Sequence, residues 1–303
     1  MTTKGLLQSL AALLAAALGF AAATGAMAQS KPLTLKVINS SPGSLDADFT
    51  LIMGEKDAVL VDTPFLRSDA YRLAGDILDS GKHLKTIIIT HAHPDHMFGA
   101  AVLKEVFPDV DVIALPAVVD EAWPAYRARY AYWAPQIGAN APQEFVLPHA
   151  APKDNVVMLE GHQIQLIGPV QGDDEASTIV WVPDLKAAAT GDITFNQVHV
   201  YSAGIDAAHR AAWLRSLDQL AALGPEIVVA GHAKPGTKTD RSAIDYTRAY
   251  VTRIGTAIAE MKAPGDYIAI MRHDFPGAID FQGDFILNAT APDAMAQHNK
   301  LGK

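Results

Sequence analysis

The chain has 303 residues, a formal net charge of −9 and no cysteine. A chain of this length can bury one large hydrophobic core or two small ones. Without thiols it forms neither disulfides nor thiolate metal sites, so any metal must be bound by His, Asp or Glu. The acidic balance, with no clusters of Lys and Arg, argues against binding to nucleic acid or to an anionic membrane.

Residues 1–28 have the pattern of a secretory signal peptide. Lys4 precedes an apolar run from Leu10 to Ala23, and Ala26-Met27-Ala28 provides a small-residue cleavage site before Gln29. The apolar run is short for a membrane span and ends in small residues, which favours a cleaved leader over an uncleaved anchor. The sequence therefore predicts a periplasmic or secreted protein with one mature domain at residues 29–303.

The first half of the mature chain alternates between strands and helices. Short apolar runs predict strands at residues 33–38, 49–53, 58–61, 86–90 and 111–115. Apolar residues at helical spacing predict helices at residues 68–80 and about 98–106. Because helices connect the later strands, this order is typical of an α/β fold.

The segment at about 118–138 is rich in aromatic residues interleaved with Arg127 and Arg129. One interpretation is an amphipathic helix that buries its aromatic side chains in the core. The other is a lid or wall of a substrate pocket, since aromatic side chains commonly line small-molecule sites. Stacking of these aromatic side chains on nucleic acid is disfavoured by the negative net charge of the chain.

The second half returns to strands and then to helices. Strands are expected at residues 156–159, 163–167, 178–182, 187–190 and 227–230. Asp206 is a good N-cap for a helix that reaches Leu223, and a further helix is expected at residues 240–261. The last forty residues are weakly patterned and are assigned no element.

Three of these strands end in groups that bind metal ions. The strand that ends at Thr90 runs directly into His91-Ala92-His93-Pro94-Asp95-His96. The strands at 187–190 and 227–230 run into Gly191-Asp192 and Gly231-His232. Imidazoles and carboxylates suit Zn²⁺ and similar divalent ions, and strand ends in an α/β fold converge on one edge.

In their order and spacing, these motifs resemble those of the metallo-β-lactamase-fold hydrolase superfamily, over nearly the whole mature chain. The resemblance implies an α/β fold, an αββα sandwich of two mixed β-sheets with helices on both outer faces. It also implies two divalent ions, most simply Zn, that activate a shared hydroxide for hydrolysis without a covalent intermediate. His91 and His93 would bind the first ion and Asp95, His96 and His232 the second, with Asp192 between them.

One position departs from the family pattern. The family usually supplies a third His to the first ion, and here that position falls at Asp173, with Asp174 or Glu175 as alternatives one or two residues away. A carboxylate ligand would make Fe or Mn plausible beside Zn. Otherwise the first site is incomplete and the segment is a solvated acidic turn.

Other residues are assigned supporting roles. Asp95 is expected to take part in catalysis as well as in metal binding. His199 and Tyr201 follow Asp192 closely enough to polarise a substrate carbonyl, although packing roles are the alternative. Asp62 is expected to orient a ligand His, and Lys234 to contact an anionic group.

The leading functional hypothesis is a metal-dependent hydrolase of a small ester, lactone or amide, with ester or lactone favoured. A β-lactamase is an alternative that suits export. An alternative of another class is a non-catalytic or sensory binding protein with a degraded first metal site. Phosphoester hydrolysis is less favoured because few basic residues lie near the motifs, and di-iron redox chemistry would require a partner electron carrier.

Overall fold

The computed structural model describes residues 31–281 and 283–301, so the predicted signal peptide lies outside the described residues. The strands are β1 Thr34–Asn39, β2 Asp48–Met53, β3 Asp57–Val61, β4 His83–Ile88, β5 Asp111–Ala114, β6 His149–Ala150, β7 Val156–Leu159, β8 His162–Val170, β9 Ser177–Val182, β10 Ala187–Ala189, β11 Phe195–Asn196, β12 Ile227–Val229 and β13 His232–Ala233. The α-helices are α1 Arg67–Asp79, α2 Pro94–Met97, α3 Ala100–Val106, α4 Pro116–Ile137, α5 Ala207–Ala222, α6 Ser242–Glu260, α7 Pro264–Asp274 and α8 Phe285–Leu301.

The strands form two mixed sheets. The first has the order β1-β2-β3-β4-β5-β6, antiparallel from β1 to β3 and parallel from β3 to β6. The second has the order β12-β10-β9-β8-β7, in which only the β10–β12 pair is parallel. A small parallel pair, β11 and β13, lies next to the metal-binding motifs in the sequence.

Side-chain alternation in the second sheet shows that both of its faces are buried. Val180 and Val182 belong to the core that also contains the first sheet, α1 and α3. Ile179 and Trp181 alternate with them and belong to a second core with α5, α6, α7 and α8. Successive strand residues point to opposite faces, so helices cover the outside and the two sheets face each other. The predicted αββα sandwich is confirmed.

Strands β4 and β10 are among those that end earlier than the apolar pattern predicts. Strand β4 stops at Ile88 rather than at Thr90, because the Thr90 amide donates to the Asp62 carboxylate at 2.7 Å instead of to a neighbouring strand. Strand β10 stops at Ala189, and a short 3₁₀ turn at Gly191–Ile193 follows. Both changes hold the motif residues in loops at the sheet edge.

The last forty residues, to which no element was assigned from the sequence, form α7 and α8. Ile286, Leu287 and Ala291 of α8 are buried in the second core. Among the described residues, no helix combines the length and hydropathy needed to cross a bilayer.

Candidate metal centre

The predicted ligands lie in two adjacent groups at the strand ends. One group contains His91, His93, Asp173 and Asp192, and the other contains Asp95, His96 and His232. Within each group, one ligand atom from every residue lies within 4.8 Å of the others. Each group is thus compact enough to hold one ion.

Asp173 completes the first group. Its Oδ2 lies 3.1 Å from His93 Nδ1, and its Oδ1 lies 3.8 Å from His91 Nε2. The alternatives are less well placed: Asp174 Oδ2 lies 3.7 Å from the other nitrogen of His93, and Glu175 pairs with His209 at 3.1 Å. A carboxylate therefore lies where the family pattern has a third imidazole.

Asp192 lies between the two groups. Its Oδ2 faces His91 Nε2 at 3.8 Å, whereas its Oδ1 lies 3.1 Å from His96 Nε2 and 3.4 Å from His232 Nε2. Asp95 closes the second group, with Oδ2 at 3.3 Å from His232 Nε2. The two oxygens of Asp192 thus point to different groups, the arrangement that a bridging ligand requires.

Glycine is needed where the Asp192 loop meets its neighbours. A Cβ on Gly231 would lie 2.1 Å from Asp192 Oδ1, and a Cβ on Gly191 would lie 2.2 Å from Thr90 Oγ1. Gly191 also has a φ of +47°, which other residues rarely adopt. The glycine that precedes Asp192 and the one that precedes His232 thus let three ligand-bearing loops approach one another.

Asp62 orients ligands of both groups. Its Oδ2 accepts a hydrogen bond from His96 Nδ1 at 2.9 Å and another from Thr90 Oγ1 at 2.8 Å. Since the Thr90 hydroxyl donates to Asp62, it accepts from His91 Nδ1 at 3.0 Å. His232 Nδ1 likewise donates to the Leu45 carbonyl at 2.8 Å. The Nε2 atoms of all three histidines are therefore left free to bind a metal.

Several buried polar atoms in the first group form no hydrogen bond. They are His91 Nε2, both carboxylate oxygens of Asp173, and Asp192 Oδ1. Burial raises the pKa of Asp173 to about 7, and burial lowers the pKa of His91 well below its ordinary value. Unpaired buried groups are costly unless a cation or donor satisfies them. These His and Asp groups therefore fit a dinuclear metal site.

A cavity of about 380 Å³ opens onto both groups. Its metal-binding side contains His93, Asp95, Asp173, Asp192 and His232. The rest of its lining is largely apolar and includes Leu45, Phe65, Tyr132, Trp133, Phe281, Phe285, Ile286 and Ala289. Helix α8, from the part of the chain with the weakest sequence pattern, supplies the last three of these residues.

The aromatic segment 118–138 lies partly in the core and partly at the cavity. It forms α4 at Pro116–Ile137, in which Tyr126 is fully buried against Phe98 at a ring-centroid distance of 4.6 Å. Tyr132 and Trp133, one to two turns further along, line the cavity instead. One helix thus packs on the core and forms a wall of the cavity.

The other predicted site residues are divided between the cavity and the core. Tyr201 lines the cavity, with its ring 6.0 Å from that of His93. His199 is buried instead, and its Nδ1 lies 2.8 Å from the Tyr250 hydroxyl. Lys234 donates to the Gly277 carbonyl at 3.1 Å. The structure therefore brings Tyr201 to the candidate site, but neither His199 nor Lys234 is among the residues that line the cavity.

Sequence reasoning missed two contributors to the site. Thr90 relays a hydrogen bond from Asp62 to His91, and Arg129 of α4 donates to the carbonyl of Ala92, between two ligand histidines. The position of Thr90 between the strand and the first His was a usable signal. Nothing in the spacing of Arg129 connects it to residues nearly forty positions earlier.

Comparisons with known proteins agree with this geometry. A family model of the metallo-beta-lactamase superfamily matches residues 43–232, more than half of the chain. No curated protein matches the sequence. A metallo-beta-lactamase family protein from Thermus thermophilus is 18% identical, with a TM-score of 0.61 over 89% of this chain and 94% of that one.

Two further solved structures have the same fold. The DIM-1 metallo-beta-lactamase is 20% identical, with a TM-score of 0.55 over 74% of this chain and 94% of that chain. A metallo-beta-lactamase from Pontibacter korlensis is 17% identical, with a TM-score of 0.53 over 74% and 96%. At these identities the likeness concerns the fold. By the match of the family model, the chain belongs to the metallo-beta-lactamase superfamily.

Proposed function

We propose that the protein is a metal-dependent hydrolase of a small ester or lactone that has an apolar portion. The observation that carries the proposal is the cavity, whose lining combines residues of the two ligand groups with a wall of apolar and aromatic side chains. A substrate whose carbonyl lies at the ligand groups would bury its apolar portion against that wall. Pockets of this size and character are typical of small-molecule sites.

Divalent ions, when bound by the two groups, would supply an activated water molecule and polarise the attacked carbonyl. The chain's own residues do the rest. The Nδ1 atoms of His91, His96 and His232 are hydrogen-bonded, which orients each imidazole so that its Nε2 atom points to the ligand groups. Asp95, buried beside His232 in the lining of the cavity, would take up a proton from the attacking water.

Tyr201 is the best candidate for a group that contacts the substrate carbonyl, since it lines the cavity beside His93. Burial raises the pKa of its phenol, so the hydroxyl stays protonated and able to donate at neutral pH. Donation of this kind stabilises negative charge on an oxygen as the reaction proceeds. His199 is given no such role here because its imidazole faces Tyr250.

The apolar wall also bears on the choice of substrate class. Arg129 is the one cationic side chain outside the ligand groups in the described lining of the cavity, and it already contacts Ala92. Phosphoesters need positive groups around the phosphate in addition to metal ions, and Arg129 alone offers one in this lining. The carboxylate at Asp173 adds negative charge and argues against a β-lactamase, whose substrates carry a carboxylate.

We further propose that the protein is exported, on the basis of Lys4, the apolar run Leu10–Ala23 and the Ala26-Met27-Ala28 cleavage pattern. Expression of the full chain in a Gram-negative host, followed by fractionation and N-terminal sequencing, tests this. A periplasmic or extracellular protein that begins at Gln29 supports export. A cytoplasmic protein that retains Met1 contradicts it.

The activity is tested with protein loaded with Zn or Mn and a panel of aryl esters, lactones and β-lactams. Hydrolysis of esters or lactones that stops on treatment with a chelator and returns with metal supports the proposal. A preference for β-lactams would instead identify a β-lactamase. A fully metallated protein that hydrolyses none of the panel would favour the binding or sensory alternative.

A further inference from the structure

Arg129 of α4 contacts both loops that carry the ligands of the first group. Its guanidinium donates to the carbonyl of Ala92, the residue between His91 and His93. Its Nη2 also lies 3.8 Å from Oδ2 of Asp174, the residue after Asp173. One side chain therefore joins the His-x-His turn to the acidic loop, which are about eighty residues apart in the sequence.

The surroundings of Arg129 suit a fixed positive charge. Its side chain is 30% exposed, and that of Asp174 is 14% exposed. Besides the apolar cavity, Arg129 and Asp173 line a second cavity, whose other walls include Glu121 and Glu175. The guanidinium thus lies between the two cavities, in a region where the nearby charged groups are mostly carboxylates.

The first group has an excess of negative charge by comparison with its family pattern. Asp173 replaces a neutral imidazole, so the group contains two carboxylates, Asp173 and Asp192, beside two histidines. A divalent ion with two carboxylates is electrically neutral, and Asp174 lies next to this set. A cation at that point would lower the repulsion among the acidic groups.

We propose that Arg129 is a positioning residue for the first metal ion. Through Ala92 and Asp174 it holds the histidine turn and the Asp173 loop in place, and its positive charge offsets the carboxylate that replaces the third imidazole. The helix that forms a wall of the cavity thereby also supports the metal centre. This inference assumes that the first group binds metal, as in the proposed function, but it does not depend on the substrate.

The test measures the stepwise dissociation constants of two Zn²⁺ or Co²⁺ ions by competition with a chelating indicator. Arg129→Gln should weaken the first-group ion by roughly tenfold or more, as loss of a residue that supports metal ligands typically does. The second-group ion should change much less. Arg127→Gln, on the exposed side of the same helix and over the Trp123 ring, is the matched control and should change neither.

Two further variants separate charge from packing. Arg129→Lys retains the charge and should recover part of the lost affinity, and it keeps the test available if Arg129→Gln does not fold. In an Asp173→His background, Arg129→Gln should cost less affinity, because the carboxylate whose charge Arg129 offsets is gone. Co²⁺ absorption spectra of the same proteins report whether the geometry of the first ion has changed.

The inference is overturned if Arg129→Gln weakens the binding of both ions equally. It is also overturned if Arg129→Gln lowers the affinity of the first-group ion as much in the Asp173→His background as in the wild type. Wild-type affinity in Arg129→Gln would overturn it as well. These outcomes are distinct from failure of the proposed function: a protein that binds two ions in this way and hydrolyses nothing would contradict the hydrolase alone.

Discussion

Oδ2 of Asp173 lies 3.1 Å from Nδ1 of His93, in the group that also contains His91 and Asp192. This contact argues against a solvated acidic turn at this position, because such a turn would expose the carboxylate. Asp173 is instead buried, with both oxygens free of hydrogen bonds. A buried carboxylate in this state is best satisfied by a cation.

Replacing Asp173 by Asn keeps the size of the side chain and removes its charge. We expect Asp173→Asn to lose the ion of the first group while retaining that of the second, because an amide is a much weaker metal ligand than a carboxylate. Elemental analysis of dialysed protein should fall from two ions per chain to one. Asp192→Asn is the comparison variant and should lower the affinity for both ions. Unchanged metal content in Asp173→Asn would rule Asp173 out as a ligand.

Asp62→Asn tests the support of the ligands. An Asn oxygen at the Oδ2 position leaves the NH2 group facing the Thr90 amide, which donates to Oδ1 in the wild type, and the opposite orientation loses the bonds from His96 and the Thr90 hydroxyl. Either way the support that orients the imidazoles of both groups is weakened. We expect metal affinity to fall by about 10- to 100-fold, with the fold retained by circular dichroism. Asp111→Asn, at an exposed pair with His149, is the control. Equal affinities in the two variants would show that Asp62 has no such role.

Phe285→Ala tests the apolar wall of the cavity. Each buried methylene contributes about 0.8 kcal/mol, so kcat/KM should rise with acyl chain length in a series of aryl esters. Removing the Phe285 ring, which packs on Trp133 at a centroid distance of 5.5 Å, should flatten that rise. The exposed Trp123 on α4 provides the control variant Trp123→Ala. If kcat/KM rises equally with acyl chain length in the wild type and in Phe285→Ala, the apolar wall does not take part in substrate binding.

The pH dependence of stability can be tested away from the metal centre, at Glu160. Its carboxylate accepts hydrogen bonds from the amides of Glu55, Lys56 and Asp57 at 2.6, 2.7 and 2.8 Å. The amides of Lys56, Asp57 and Glu55 lower the pKa of Glu160 below its ordinary value of 4.5. The ionised form therefore stabilises the folded state above pH 4.5, and this stabilisation is lost as the pH falls through the lowered value.

Glu160→Gln should accordingly lower Tm at pH 7, and its difference from the wild type should shrink as the pH is reduced below 4.5. Glu144→Gln, at an exposed position, should leave Tm unchanged across the same range. Thermal melts at several pH values measure both. A difference between Glu160→Gln and the wild type that grows on acidification would have the wrong sign for this explanation.

The α/β pattern and the candidate ligands at the strand ends follow from local sequence features, whereas the division of the ligands into two groups came from the family resemblance. A strand such as β4 is recognisable from its β-branched residues, and His91, Asp192 and His232 each come one to three positions after a strand. Because strand ends converge on one edge of a sandwich, proximity could be inferred without coordinates. Position 173 was predicted from the family pattern, by counting back from the neighbouring hairpin.

Two features of the site, the support by Arg129 and the aromatic wall, were not predicted because they depend on contacts between segments that are distant in the sequence. The contact of Arg129 with Ala92 depends on how α4 crosses the sheet edge, and helical periodicity carries no information on that crossing. The aromatic wall needs Phe281 and Phe285, whose segment is too weakly amphipathic to be assigned. Predicted ligand roles for Asp95, Asp192 and the histidines, and catalytic roles for Asp95, Tyr201 and His199, stay predictions until metal and activity are measured.

The most direct test is a crystal structure of the Zn- or Mn-loaded protein, with anomalous diffraction recorded at the absorption edge of the metal. Two anomalous peaks are expected, one contacted by His91, His93 and Asp173 and the other by Asp95, His96 and His232, with Asp192 in contact with both. A single peak in the second group, with Asp173 contacting no ion, would contradict a two-ion centre completed by a carboxylate.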